Sequence, residues 1–318
     1  MGSVFEVRLP AALPGALDLA TRALDLVEDL EGQLTVYRDD SEVSRLNATA
    51  HLGPVEVEPG LFDLLERAEA LGRETGGAYD VAAGALSIAW GFTRGPRRVP
   101  DAATLAEARD RTGSHHLRLD PSRRTVAFDR EGIVVNLGSI GKGYAIDRTA
   151  ALIREHWWPT PALIHGGQSS LFALGSPPWT LAGRWEIALR NPFDPANPLG
   201  VIRLRNRGLG TSGASFQRFE EGGRLYGHIL DPRTGEPPEA GPASVTVIAP
   251  TAAEADALST AFYLLGPVAS AEYLRRHPGL GAIIVEDGPA DVPPRVVTIG
   301  LGFDDFEAAP GVRGVQWT

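Results

Sequence analysis

The chain of 318 residues has no cysteine, a single lysine (Lys142) and a single methionine (Met1). Without cysteine, disulfide scaffolds, thiolate-held zinc and iron-sulfur clusters are excluded. No apolar stretch approaches the ~20 uninterrupted residues of a membrane-spanning helix, so no transmembrane segment is expected. Residues 1–10 carry no basic run followed by an apolar core and do not read as a secretory signal. The chain as written is therefore expected to be cytoplasmic, or periplasmic if a leader has been removed, with no cysteine to take a lipid anchor. Basic side chains are also short: 30 Lys plus Arg face 40 Asp plus Glu, a net charge of −10. That balance argues against nucleic acid or an anionic membrane as a partner. What is present is a globular composition, 43% hydrophobic and 22% charged. With 37 glycines and 25 prolines, turns are frequent and long helical bundles are disfavoured.

Periodicity organises the chain. Val4 to Leu9 reads as a strand, and Leu17, Ala20, Leu24, Val27 and Leu30 mark one face of an amphipathic helix. Tyr37 is placed at the end of a short extended piece, and Asp40 or Ser41 is placed to cap a brief helix. Leu61, Leu65, Ala68 and Leu71 share the face of a helix over 61–72, and a weaker helix spans 101–111. The alternation in LRLDPSRRTVAF, residues 117–128, predicts a hairpin. The stretch from Ile133 is an apolar run that ends in glycines and continues as a helix to about His156. Short strands follow at ALIHGG, LFALG, WEIALR, VIRLR and RLYGHILDP, with connections too short for βαβ crossovers, so antiparallel pairing is favoured. SVTVIAP, residues 244–250, is a buried strand, and Thr251 with Glu254 forms a capping box for the helix after it. LGAIIVE and RVVTI are the last strands read. The expectation is an α+β fold of mainly antiparallel sheets packed with helices, in a single domain over 1–318 with no dividing linker.

Four constellations can carry chemistry. Gly138-Ser139-Ile140-Gly141-Lys142-Gly143-Tyr144 opens a helix with glycines, so unpaired N–H groups, the positive end of the helix dipole and the Lys142 ammonium can meet an anion. It matches neither a Walker loop nor Gly-x-Gly-x-x-Gly, and an ordinary strand-to-helix turn is an equal alternative. A chain that writes 29 of its 30 basic residues as arginine has placed its one lysine here, where a compact ammonium differs from a planar guanidinium. Asp256 and Thr260, four residues apart, lie on one helix face and offer hard oxygens suited to Mg²⁺. The bland alternative is a helical threonine bonding its own i−4 carbonyl beside an early-turn acid. His228 leads into an Asp-Pro-Arg-Thr-Gly turn and offers a base of near-neutral pKa, whereas His115, His116 and His165 have no accompanying signature. Gly76-Gly77-Ala78-Tyr79-Asp80, leading to Trp90-Gly91-Phe92, is either the wall of a ring-binding pocket or a packed loop.

Taken in order, TVYRDDSEVSRLN, GGAYDVAAGALSIAWGF, VVNLGSIGKGYAID, ALIHGG, GTSGASF, GHILDPRTGEP and TAAEADALSTAFYLLG, with Met1-Gly2-Ser3 before them, resemble the ApbE family of flavin transferases. The resemblance covers about residues 1–285 and leaves 286–318 unmatched. It implies a T-fold-like architecture and Mg²⁺-dependent transfer of FMN from FAD, as substrate, to a Thr or Ser hydroxyl on an acceptor protein, with release of AMP. It implies that Met1, Tyr37, Ala78, Tyr79, Asp80, Asn136, Lys142 and Ile229 contact FAD. It further implies that Ser139, through its carbonyl, joins Asp256 and Thr260 at the metal, and that His228 deprotonates the acceptor. Asn136 and Gln168 stand where the family commonly has Asp, and Thr35-Val36-Tyr37 replaces a more usual Ser-Thr-Tyr. A Mg²⁺-dependent FAD pyrophosphatase and a non-catalytic flavin-binding protein are the alternatives.

Overall fold

The computed structural model describes residues 3–157, 159–180, 183–213, 217–288, 292 and 294–317. Contacts divide the chain into two compact units, each assembled from separate segments: Met1–Asp29, Ile140–Gly213 and Ala240–Thr318 form the first, Leu30–Ser139 and Ala214–Glu239 the second.

The elements run in the order β1 (Phe5–Arg8), α1 (Ala16–Leu34), α2 (Glu42–Thr49), β2 (Val55–Glu56), α3 (Pro59–Glu74), α4 (Gly84–Ala89), α5 (Ala102–Asp110), β3 (Leu117–Asp120), β4 (Thr125–Phe128), α6 (Gly141–Trp157), β5 (Ala162–Gly166) and β6 (Ser170–Leu174). They continue with β7 (Trp185–Leu189), β8 (Gly200–Leu204), β9 (Arg207–Ser212), β10 (Arg218–Glu221), β11 (Arg224–Gly227), β12 (Ser244–Ala249), α7 (Ala252–Arg276), β13 (Gly281–Val285), β14 (Arg295–Ile299), β15 (Phe306–Ala308) and β16 (Arg313–Trp317).

The first unit is built on an eight-stranded sheet, β1-β5-β6-β9-β12-β13-β14-β16, whose neighbours are antiparallel except the parallel pair β14 and β16. Strand alternation sends Ala162, Ile164, Phe172 and Leu174 to one face, where they pack with Leu19 of α1 and Ile146, Ala150 and Ile153 of α6. The opposite parity, Leu163 and Ala173, packs with Trp185, Leu189, Ile202, Leu204 and Phe306 of the small sheet β15-β8-β7. Two layers therefore cover one sheet, and β12 is buried at all six residues. Helix α7 is interrupted at Gly266, which takes φ 70° before Pro267. In the second unit, β2-β4-β3 and the β10-β11 ribbon accompany α2 to α5. Trp90, Leu86, Ala108 and Leu230 form a core there, with Phe219 and Tyr226 against it.

The α+β class and antiparallel pairing match the sequence expectation. So do the caps: Ser41 accepts from the Ser44 N–H (3.0 Å) and Thr251 from the Glu254 N–H (3.2 Å). Three expectations change. The apolar run at 133–137 joins no sheet. Its backbone bonds go instead to the Asn47 side chain (2.8 and 2.9 Å), to Val81 (2.9 Å) and to Gly84 (3.0 Å), so apolarity there reflects burial and not a ladder. Thr35 to Tyr37 is a bend after a longer α1, with the Tyr37 N–H donating to Thr35 Oγ1 (3.2 Å). The strand expected through RLYGHILDP stops at Gly227, because its partner β10 begins at Arg218. Helix α4 and strands β9, β10, β15 and β16 carried no periodic signal.

Candidate active site

The first unit gathers an oxygen cluster around Asp256, whose position follows from how the start of α7 is seated. Gly143 on α6 and Gly208 and Gly210 on β9 lie so close to that turn that a Cβ on any of them would fall 2.2–2.5 Å from the backbone of residues 251–256. Three glycines thus let a strand and a helix touch the first turns of α7 directly. Asp147 on α6 completes the seat by accepting from the Ala252 and Ala253 N–H groups at 2.7 and 2.9 Å, two of the donors that a helix start leaves unpaired. Burial pushes the Asp147 carboxyl up to about 7, against the pull of those two donors.

The Asp256 carboxylate is buried and accepts from Ser170 Oγ (3.1 Å), from the Gly143 N–H (3.4 Å) and from Lys142 Nζ (3.3 and 3.5 Å). Lys142 and Asp256 form an ion pair with side-chain exposures of 17% and 5%. The anion at the glycine-rich start of α6 is thus a carboxylate of the same unit. Thr260, one turn on, shares a 3.1 Å hydrogen bond with Ser212, which meets Ser259 at 2.8 Å. Its contact to its own i−4 carbonyl, Asp256 O, is long at 3.4 Å.

This donor set fits Mg²⁺. One carboxylate and the hydroxyls of Ser170, Ser212 and Thr260 are all hard oxygens. Among the described residues no three His, Asp or Glu side chains converge. A small dication held here would complete its shell with water and substrate oxygens, as Mg²⁺ commonly does. The ammonium against Asp256 marks a point where the protein already places positive charge.

The second unit holds the other predicted positions. Ala78 and Tyr79 are buried, following a turn in which Gly76 and Gly77 take φ 62° and 79°. The Asp80 carboxylate is occupied by the Ser114 N–H (2.8 Å), Ser114 Oγ (2.7 Å) and the Ala82 N–H (2.8 Å), so it pins its own loop. Asn136 is the neighbour of that loop: its N–H donates to Val81 O (2.9 Å), and its Oδ1 accepts from the Gly138 N–H (2.9 Å). Tyr37 is 63% exposed, Ile229 is buried, and Ser139 is half-buried two residues before α6. Met1 lies outside the described residues.

His228 follows β11, half-buried, with Phe92 edge-on at 6.4 Å between ring centroids. Its Nδ1 sits 3.2 Å from Gln217 O. A carbonyl only accepts, so Nδ1 is the donor in this bond, and in the neutral ring Nε2 is then the basic nitrogen. Trp90, Phe219 and Tyr226 stack nearby in the same unit, with centroids 5.4–6.4 Å apart, and Trp90 Nε1 donates to Gly235 O. The glycine-flanked aromatics therefore build a packed wall.

The structure brings the predicted Asp256, Thr260 and Lys142 into one cluster, and the sequence reading had given no role to Ser170, Ser212, Asn47 or Asp147. Ser170 occupies no periodic or spaced pattern, and Ser212, Asn47 and Asp147 were visible only inside the GTSGASF, TVYRDDSEVSRLN and VVNLGSIGKGYAID motifs.

The architecture is that of a mixed α+β protein with mostly antiparallel sheets, in which a lysine-paired carboxylate and converging hydroxyls stand at a glycine-rich helix start. More particularly, the chain belongs to the ApbE family, whose model matches residues 1–284. It is 33% identical over 299 residues to the FAD:protein FMN transferase of Treponema pallidum, covering 90% of this chain and 82% of that protein. It is 32% identical over 288 residues to the one from Escherichia coli K12, covering 86% and 80%. Among solved structures it is similar to the ApbE protein of Thermotoga maritima (TM-score 0.79, 28% identity, 89% of this chain and 93% of that one). The flavinyl transferase ApbE of Pseudomonas stutzeri, apo form, gives a TM-score of 0.78 at 28% identity, covering 95% of each chain.

Proposed function

We propose that this chain transfers FMN from FAD to a Thr or Ser hydroxyl of an acceptor protein and releases AMP. The observation that carries the proposal is the Lys142–Asp256 pair with Ser170, Ser212 and Thr260 around it. Asp256, Thr260 and the Ser139 carbonyl would hold Mg²⁺, which when bound neutralises charge developing on the pyrophosphate oxygens. Lys142 and the N–H groups at the start of α6 then serve the same anion, so departure of AMP needs no protein nucleophile. The acceptor oxygen attacks the phosphorus on the FMN side, forming a phosphoester as the bond to AMP breaks. His228 Nε2 takes the hydroxyl proton, a contribution typically on the order of 10²- to 10⁴-fold. Tyr37, Ala78, Tyr79, Asp80, Asn136 and Ile229 are assigned to the flavin and adenine. Asn136 and Gln168 each remove a carboxylate that the family commonly carries, a change compatible with FAD binding that bears on metal affinity and acceptor choice.

The test is incubation with FAD, Mg²⁺ and a Thr-bearing acceptor. A fluorescent flavinylated acceptor band with one AMP per flavin is expected. AMP and free FMN without any acceptor would instead establish a pyrophosphatase. FAD that stays intact for hours with Mg²⁺ would leave a binding protein.

A further inference from the structure

The first unit has a cavity of about 240 Å³ lined by Arg184, Arg203, Arg205 and Arg207, with Leu204, Ile248, Leu301 and Asp305. Four arginines line this one cavity in a chain whose net charge is −10. Two of them are neutralised. Arg184 pairs with Asp305 (3.2 Å) and also donates to Asp304 O (3.0 Å). Arg203 is shared by Glu307 (2.5 Å) and Glu186 (3.5 Å).

The other two make no ion pair among the described residues. Arg205 is exposed, with no hydrogen-bond or ion-pair partner among the described residues. Arg207 is half-buried, and its Nη2 donates to two neutral acceptors, Ile248 O (3.2 Å) and Gly279 O. Its Nε is buried and unpartnered among the described residues. Burial lowers the Arg207 pKa from its ordinary value, and Asp305 is the only acid that offsets this. A partly desolvated cation whose hydrogen-bond partners are neutral carbonyls is costly to keep, and a neighbouring anion lowers that cost.

We propose that this arginine cavity binds a small tetrahedral oxyanion of the phosphate class, with Arg205 and Arg207 as its principal donors. Guanidinium forks match the oxygens of phosphate in pairs, which a single ammonium does not. Size selects a small occupant, because sites for larger organic ligands run to roughly 300–1,000 Å³. Asp305 does not oppose this. Its Oδ1 is held by Arg184 and its Oδ2 accepts from the Gly302 N–H (3.0 Å), so both oxygens are already engaged. The site shares no residue with the Lys142–Asp256 cluster and does not depend on the proposed transferase activity.

Titration of the full chain with inorganic phosphate, followed by calorimetry against chloride at matched ionic strength, tests the proposal. Phosphate should bind with millimolar or better affinity. Arg205→Glu should weaken that binding at least about tenfold, the step set by one unit in log Kd. Arg207→Gln should weaken it too, and a melting curve on that variant separates lost binding from lost fold. Arg123→Glu, an exposed arginine of the second unit outside the cavity, should leave phosphate binding at wild-type strength. The proposal is overturned if chloride gives the same heat, if phosphate gives none, if Arg205→Glu binds like wild type, or if Arg123→Glu weakens binding as much as Arg205→Glu does.

Discussion

At the scale of single residues, Asp256 concentrates the most function in the fewest atoms. Its two oxygens serve an ammonium, a hydroxyl and a backbone N–H, and no acid in the first unit duplicates it within the cluster. Asp256→Ala should abolish Mg²⁺-dependent turnover of FAD, and it should lower the melting temperature by several degrees. Breaking a buried ion pair strands the remaining charge at a cost of about 3–5 kcal/mol when fully buried, less here because Lys142 keeps some contact with water. Retained far-ultraviolet circular dichroism with no Mg²⁺ response is the expected pair of results; unchanged turnover would remove Asp256 from the metal site. This residue was legible in sequence because helical spacing places it with Thr260 and a capping box fixes where the helix starts. Ser170 was not legible, and Ser212 only as part of GTSGASF. They reach the cluster through strand pairing across the sheet, where Ser170 is opposite Gly210 and Ser212 opposite Val245.

At the scale of elements, the start of α7 depends on the glycines beneath it more than on its own sequence. Gly143 lies inside α6, where Ala has the better helix propensity by about 1 kcal/mol. The added methyl would nevertheless sit 2.2 Å from Ala252 O, a backbone atom with no rotamer by which to yield. Overpacking of that kind typically costs about 1–3 kcal/mol, so the clash should win. Gly143→Ala is therefore expected to lower the melting temperature and to raise the Mg²⁺ concentration needed for half-maximal activity, whereas Gly314→Ala, with nothing within 4 Å, should do neither. A gain in stability at Gly143 would mean that α7 moves freely on its seat. The same logic explains what the sequence concealed. Helices with wide apolar stripes, such as α1 and α3, were readable. Strand β9, RGLGTS, was not, because its glycines are chosen for close approach and give no alternation to read.

At the scale of the whole molecule, the resemblance and the family match end near residue 284, but the fold does not. Strands β14 and β16 complete the large sheet, and β15 brings Phe306 into the core between the two sheets. The segment carried no family motif because its contribution is packing, which many apolar sequences satisfy. One titration ties the assembly of this unit to pH. Asp147 holds the first N–H groups of α7 from α6, and burial raises its folded pKa to about 7, with Glu254 and Asp256 adding to the rise. Unfolded, the carboxyl titrates near 3.9. Between about pH 4 and pH 7 the unfolded chain has released this proton and the folded chain retains it, so folding takes up a proton and stability falls as pH rises through the window. The contribution is complete below about pH 4 and fully lost above about pH 7. Asp147→Asn keeps one acceptor for the helix start and removes the charge, so its melting temperature should vary less with pH over that interval than wild type and compare best with it at the alkaline end. If the two proteins show parallel profiles from pH 4 to 8, Asp147 is ionised in the folded state throughout, and its hydrogen bonds to Ala252 and Ala253 outweigh the cost of burying its charge.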